Sequence, residues 1–157
     1  MKTIIIYSTK YGSVGKAAIK LKAHLKGEAV IADVKSKPDY SGFETVILGG
    51  SIYAGSVQKE MKQFLKHNLS ELGKKRIGLF VCAGTDKKES IDSYLRKNFT
   101  PELYERAVVK ANLGYEYDLQ KFSFLDRLIV RIVGVKKSAS VFFEDKIKEF
   151  ADKLNNS

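Results

Sequence analysis

Hydroxyl residues and glycines crowd into one stretch, Ser8-Thr9-Lys10-Tyr11-Gly12-Ser13-Val14-Gly15-Lys16, between an apolar run (Thr3-Ile4-Ile5-Ile6-Tyr7) and a helical pattern. A strand that ends in hydroxyls and turns into a helix N-terminus makes an anion pocket. The first-turn N–H groups lack intrahelical partners and carry the positive end of the helix dipole. A phosphate set there collects backbone N–H donors and Ser or Thr hydroxyls without needing a lysine. Gly12 permits a positive φ, or a close backbone approach that a Cβ would obstruct. Two further stretches offer complementary chemistry. Gly49-Gly50-Ser51-Ile52-Tyr53-Ala54-Gly55-Ser56 presents one aromatic among small residues, and Ala83-Gly84-Thr85-Asp86 ends another apolar run. A phosphate pocket beside a single aromatic face suits a phosphorylated, planar ligand. Flat rings prefer offset stacking on tyrosine, and small neighbours let backbone amides reach the ring edge.

Better-known phosphate loops fit these residues poorly. The triphosphate loop needs a glycine, four residues and then Gly-Lys-Ser/Thr. Gly15-Lys16 is followed by Ala17, and Lys10 stands where the first glycine belongs. Lys10 also fills the first glycine position of a dinucleotide G-x-G-x-x-G, of which Gly12 and Gly15 would be the last two. Asp33 could still mimic the ribose-binding acid of that motif, so this alternative stays open. A phosphoacceptor receiver needs an aspartate ending its third strand, where Gly49-Gly50-Ser51 stands instead.

The elements that must position these loops alternate along the chain. Strands are predicted at 2–7, 29–32, 45–49, 76–82 and 107–113. Val14, Ala17, Ala18, Leu21 and Leu25 recur at helical spacing up to Gly27. Val57, Met61, Phe64 and Leu65 mark a second helix, and Ile91, Tyr94, Leu95 and Phe99 a third. Further helices are expected at about 122–135 and 144–154. Alternating strands and helices imply an α/β fold with a parallel sheet and right-handed crossovers. Ligands of such sheets sit beyond the carboxyl ends of the strands at the topological switch point, where the three loops fall. The chain of 157 residues reads as one domain with a full core. The opening run is too short for a signal peptide, and no stretch approaches the ~20 apolar residues of a spanning helix. One cysteine suits a reducing cytoplasm, and one cysteine with two histidines offers no convincing metal site. Cys82 reads as a small hydrophobe ending a core strand.

On these residues the chain resembles the flavodoxin-like family of FMN proteins over nearly its whole length. Thr9-Lys10-Tyr11-Gly12-Ser13-Val14 is similar to the family's phosphate loop, with Thr9 in the first hydroxyl position, Gly12 in the glycine position and Ser13 after it. Tyr11 and Val14 stand where hydroxyl residues are usual. Val46 to Gly55 is similar to the second loop, which implies that Tyr53 lies against the flavin ring. The resemblance implies a flavodoxin-like three-layer α/β sandwich, a five-stranded parallel sheet of order 2-1-3-4-5 within one domain, 1–157. It implies FMN held at its phosphate by Ser8, Thr9, Lys10, Tyr11, Gly12, Ser13 and Val14. Around the ring it implies Gly50, Ser51, Ile52, Tyr53, Ala54 and Gly55, with Ala83, Gly84 and Thr85. The flavin carries the chemistry, so no side chain is assigned a catalytic role.

Within the family the resemblance is to the menaquinone-dependent protoporphyrinogen dehydrogenase branch. It rests on Lys2-Thr3 with the Ser8-Thr9 turn, on Gly50-Ser51-Ile52 with Tyr53 and Gly55, on Phe124-Leu125-Asp126-Arg127-Leu128 and on Phe142-Phe143. It implies an oxidoreductase passing electrons from a substrate through FMN to a quinone. The branch's long insertion after the fourth strand is missing, with only Ala83 to Glu89 in its place. A soluble flavodoxin-type electron carrier and a non-catalytic relative binding another phosphate ligand remain alternatives.

Net charge of +10 attracts anionic partners, but no recognition-motif spacing accompanies it, so nucleic acid is not expected. In 121–137, Ser123, Arg127, Arg131 and Gly134 share a narrow helical stripe, while Phe122, Phe124, Leu125, Leu128, Ile129, Val130, Ile132 and Val133 fill most of the remaining circumference. A helix covering a sheet needs only about 100° of apolar arc. The surplus points to a homodimer, contact with the C-terminal helix, an apolar substrate or peripheral contact with the inner face of the membrane.

Overall fold

The structure, a computed structural model, describes residues 1–132 and 134–157. Val133, counted above with the apolar face, lies outside the described residues. Five parallel strands form the sheet: β1 (Lys2–Ser8), β2 (Glu28–Asp33), β3 (Thr45–Ser51), β4 (Arg76–Cys82) and β5 (Val109–Asn112). Their order is β2-β1-β3-β4-β5, as the resemblance implies. Successive side chains of a strand face opposite ways, and here both faces are covered. Ile4, Ile6, Val46, Leu48, Ile77 and Leu79 pack under α2 (Lys59–Leu72), α3 (Lys88–Asn98) and α4 (Pro101–Arg106). Ile5, Ile47 and Phe80 pack against α1 (Ser13–Lys22) and α6 (Glu144–Asn155), where Leu21, Phe150 and Leu154 meet them. The buried apolar face of α1 (Val14, Ala17, Ala18, Leu21) follows the helical spacing read from the sequence.

Strand register sets the loops side by side. Ser8 at the end of β1 is level with Gly50 of β3, and Ser51 is level with Cys82 at the end of β4. The three loops therefore leave the sheet at one edge, on either side of the β1/β3 switch point.

Several boundaries differ from expectation. The first helix stops at Lys22, not Gly27, and the chain continues in tight turns in which the N–H of His24 donates to Leu21 O and that of Leu25 to Lys22 O. The fifth strand starts at Val109 because residues 101–106 form α4, with Pro101 in its first turn and Thr100 capping Leu103 N–H. Asp33 accepts from Lys35 N–H at 2.8 Å and caps a short 3₁₀ turn, so its carboxylate is spent locally. The largest difference lies in the last third. Gly114–Tyr117 (β6) and Ala139–Phe142 (β7) form an antiparallel pair, and the helix between them, α5, covers only Phe124–Ile132. No local pattern announces that pairing, because the partners lie far apart in sequence.

Thr3 and Thr45 face each other in the β1/β3 register, and both hydroxyls are buried with no hydrogen-bond partner. A buried, unpaired hydroxyl costs about 1 kcal/mol or more. Thr3→Val or Thr45→Val keeps the shape and removes that cost. Each is expected to raise the thermal midpoint by about 2–4 °C, read by calorimetry.

Candidate functional site

Loop one behaves as an anion pocket should. Gly12 sits at the N-cap of α1 with φ 98°, and no side chain caps the helix, so its first-turn N–H groups have no side-chain acceptor. A Cβ at Gly12 would meet nothing within 4 Å, so the demand for glycine is conformational, not steric. An L-residue in that region costs about 1–2 kcal/mol. Thr9 Oγ1 accepts from Gly12 N–H at 2.9 Å and holds the turn in shape. Ser13 and Val14 are buried at the start of the helix. Ser8 turns away from the pocket. Its hydroxyl donates to Gln58 Oε1 at 2.9 Å, and the Gln58 amide donates to Ser51 O and Oγ at 3.1 and 2.9 Å. Ser8 and Ser51 thus brace loop one against loop two.

The centre of the site is a residue that the sequence reading named only within a helix motif. Asp126, on the first turn of α5, is buried and its carboxylate accepts from the hydroxyls of Tyr11 and Tyr53. Lys10 Nζ lies 3.1 and 2.9 Å from its two oxygens. Ser123 Oγ caps the same turn, accepting from Asp126 N–H at 3.2 Å. Burial by itself raises this carboxyl, but the bonds from Tyr11, Tyr53, Lys10 and Ser123 outweigh it and hold it well below the usual carboxylate range. Burial and the same contact push the Tyr53 hydroxyl upward, so it stays a donor. Tyr11 also stacks on Phe122, ring centroids 4.3 Å apart. Its departure from the family's loop pattern therefore has a structural role, since it docks α5. A lone acid in the basic, apolar run 121–137, three residues after Ser123, was the available signal.

Loops two and three are fixed through their backbones. Tyr53 and Ser56 exchange N–H···O bonds of 2.9 and 3.0 Å around Ala54 (φ 48°) and Gly55 (φ 77°), a tight turn that needs two positive φ angles. Asn98, the buried last residue of α3, accepts from Val57 N–H at 2.9 Å and donates to Gly55 O at 3.1 Å. Asn112, ending β5, accepts from the N–H groups of Ala83 and Gly114 and donates to Ala83 O and Thr85 O. A Cβ at Gly84 would lie 1.9 Å from the Tyr117 hydroxyl where that side chain now rests.

The sequence of residues 4–140 matches the family described as the flavodoxin domain. This chain belongs to the flavodoxin domain family. It is 23% identical over 146 residues to the protoporphyrinogen IX dehydrogenase [quinone] of Escherichia coli K12, covering 85% of this chain and 78% of that protein. Among solved structures it is similar to a Fusobacterium nucleatum flavodoxin bound to flavin mononucleotide (16% identity, TM-score 0.57, 98% and 97% of the two chains). It is also similar to the rubredoxin oxygen:oxidoreductase of Desulfovibrio gigas (15% identity, TM-score 0.54), covering 98% of this chain and only 35% of that one.

Between the loops of this flavodoxin domain runs a cleft of about 40 Å³. Lys10, Tyr11, Ser13, Ser51, Ile52, Tyr53 and Gly84 line it, as do Cys82, Tyr115, Glu116, Tyr117 and Phe122, which were not expected there. Thr9, Gly12, Val14, Gly50, Ala54, Gly55, Ala83 and Thr85 shape the loops without lining the cleft. Cys82 is 3% exposed, and burial pushes its thiol up to about 12, so it stays neutral beside the cleft. Glu116, whose carboxyl is lowered chiefly by its bond to Lys16, ties β6 to α1 at 2.7–2.8 Å. Among the described residues no cluster could hold a metal ion. The uncapped helix terminus fits a phosphate and the Tyr53 face fits a flat ring. A ring-sized ligand needs roughly 300 Å³ or more, however. Lys10 Nζ now lies 3.7 Å over the Tyr53 ring centroid, so this side chain and Tyr117 must move aside for a ring to enter.

Asp126→Asn leaves buried donors short of an acceptor and is expected to cost about 2–3 kcal/mol at neutral pH in urea unfolding. The folded carboxyl is depressed. Its contribution is therefore full above the unfolded value near ~3.9 and fades as pH falls below it. The gap between wild type and variant should accordingly narrow in acid. A gap unchanged from pH ~7 to ~3 would mean that the charge of Asp126 is not what ties the loops.

Proposed function

We propose that this flavodoxin domain binds FMN and acts as an oxidoreductase of the protoporphyrinogen dehydrogenase kind, delivering electrons to a quinone. The observation that carries the reading is the uncapped N-terminus of α1 at the positive-φ Gly12, beside an aromatic face, Tyr53, on the neighbouring strand's loop. FMN named in the Fusobacterium structure, and the quinone enzyme among the relatives, support the choice of ligand and reaction. Bound FMN supplies reversible one- and two-electron chemistry that no side chain of this chain offers. The chain's own part is binding and orientation. First-turn N–H groups of Ser13 and Val14, with the Thr9 hydroxyl, hold the phosphate. Tyr53 lies flat against the ring, its hydroxyl held by Asp126. The backbone at Gly84 meets the ring edge, and Lys10, keeping its bond to Asp126, swings off Tyr53 to admit it.

A soluble electron carrier is the second reading. It is favoured by the short connection after β4, where only Ala83–Lys87 precede α3 and no long insertion forms a substrate-binding lobe.

Adding FMN to the purified protein should give a yellow complex with a perturbed flavin spectrum. Tyr53→Ser should weaken binding about tenfold in a fluorescence titration, since stacking a flat base on an aromatic contributes roughly 1–3 kcal/mol. A protein that leaves added FMN spectrally unchanged removes the reading. Incubating the holoprotein with protoporphyrinogen and a menaquinone analogue then separates the two functions. The enzyme oxidises the porphyrinogen only when the quinone is present, and a carrier does not turn over.

A further inference from the structure

The cofactor reading leaves α5 half unexplained. Its nine residues, Phe124–Ile132, advance about 100° each. Asp126 and Val130 point inward and are buried. On the opposite side Phe124 (77% exposed), Leu125 (69%), Leu128 (48%), Ile129 (41%) and Ile132 (80%) share an exposed arc of about 140°. No other element of the fold exposes so many large apolar side chains together. Arg127 and Arg131 edge the arc, both exposed, and Lys136 and Lys137 follow the helix, also exposed. The one acid of the segment, Asp126, is neutralised by Lys10 beneath the helix.

We propose that α5 is a docking helix for an anionic phospholipid bilayer. Charge complementarity selects that occupant. A wide apolar arc alone would suit another protein, but an apolar arc edged by Arg127 and Arg131, on a chain of net charge +10, matches acyl chains beneath anionic headgroups. A second copy of the chain would bring the same cations face to face. The helix lies on the surface and does not cross it: it is about 13 Å long against a hydrocarbon core of about 30 Å. No helix among the described residues is long and apolar enough to span a membrane. The Asp126 cluster keeps the helix from rolling its apolar face inward, because turning it would strip that carboxylate of its donors. Resting on the function proposed above, docking through this face would hold the flavin cleft about one helix diameter (~10 Å) from the headgroups, within reach of a lipid-borne quinone.

The test is co-sedimentation of the full chain, as purified, with vesicles of phosphatidylcholine alone or mixed with phosphatidylglycerol. Binding is expected to the mixed vesicles, to fall as ionic strength rises, and to drop roughly tenfold or more in the double variant Phe124→Ser/Ile132→Ser. Arg131→Gln should weaken binding to the mixed vesicles only. Both sites are exposed, and an unchanged thermal midpoint verifies that the variants fold. Wild type that ignores mixed vesicles, or a double variant that binds them equally well, overturns the proposal. So does a dimer in sedimentation velocity that the double variant dissociates, because the face then belongs to a second copy. The assay needs no FMN, so its failure is separate from failure of the cofactor reading.

Discussion

A carboxylate withdrawn from water must be given donors, and the donors around Asp126 come from two loops distant from its own helix. Lys10 and Tyr11 belong to the turn after β1 and Tyr53 to the turn after β3, while Ser123, at the entrance of α5, accepts from the Asp126 N–H. Meeting the needs of one buried charge therefore fixes where two site loops and a helix lie. The arrangement is asymmetric in energy. Assembling the cluster gains little net over solvation, whereas removing a single member leaves a buried charge or donor exposed to its full desolvation cost. Such a cluster specifies geometry more than it adds stability.

Backbone groups of the other loops follow the same logic with neutral amides. A loop that runs at the end of a buried sheet carries N–H and C=O groups that water does not reach, and each needs a partner. Asn98 serves the turn after β3, and Asn112 serves the turn after β4 and the start of β6. The rigid parts of the cleft are thus its backbone edges, held by buried amides. Its adjustable parts are long side chains, above all that of Lys10, which is 38% exposed. That division suits a site whose edge groups must be preset while its volume changes on binding.

What the sequence disclosed follows from the range of the interactions. The alternation of strands and helices and the need for glycine at position 12 are written in contiguous residues and were legible there, whereas the sheet order came with the family resemblance. Gln58, Asn98, Asn112 and Asp126 were not singled out, because their partners are distant: Asn112 bonds a residue 27 positions away and Asp126 one 116 away. An isolated Asn or Asp in a helix or strand end looks like any solvated polar residue until the partner is placed beside it. The β6/β7 pair escaped for the same reason, and α5 was overdrawn because apolar periodicity continues past the point where the chain turns to pair. Cys82 was read correctly as a buried small residue, but its position beside the cleft needed the β3/β4 register.

The ammonium over Tyr53 illustrates how a closed cleft can favour a flat ligand without opposing it strongly. A cation resting on a ring gains about 0.5–1 kcal/mol at an exposed site and about 2 kcal/mol when desolvated, and Tyr53 is half-buried, while a planar heterocycle stacked on the same face gains about 1–3 kcal/mol. Exchange of one for the other therefore costs little at the aromatic face. Lys10 does not thereby lose its main partner, because the Asp126 oxygens at 2.9 and 3.1 Å lie beside the ring and not across it. The side chain can swing off Tyr53 and keep the ion pair. The cleft is then closed by a group that yields at small cost. Its retained charge would sit beside the ring that replaces it, where it favours electron density arriving on that ring over electron density leaving it.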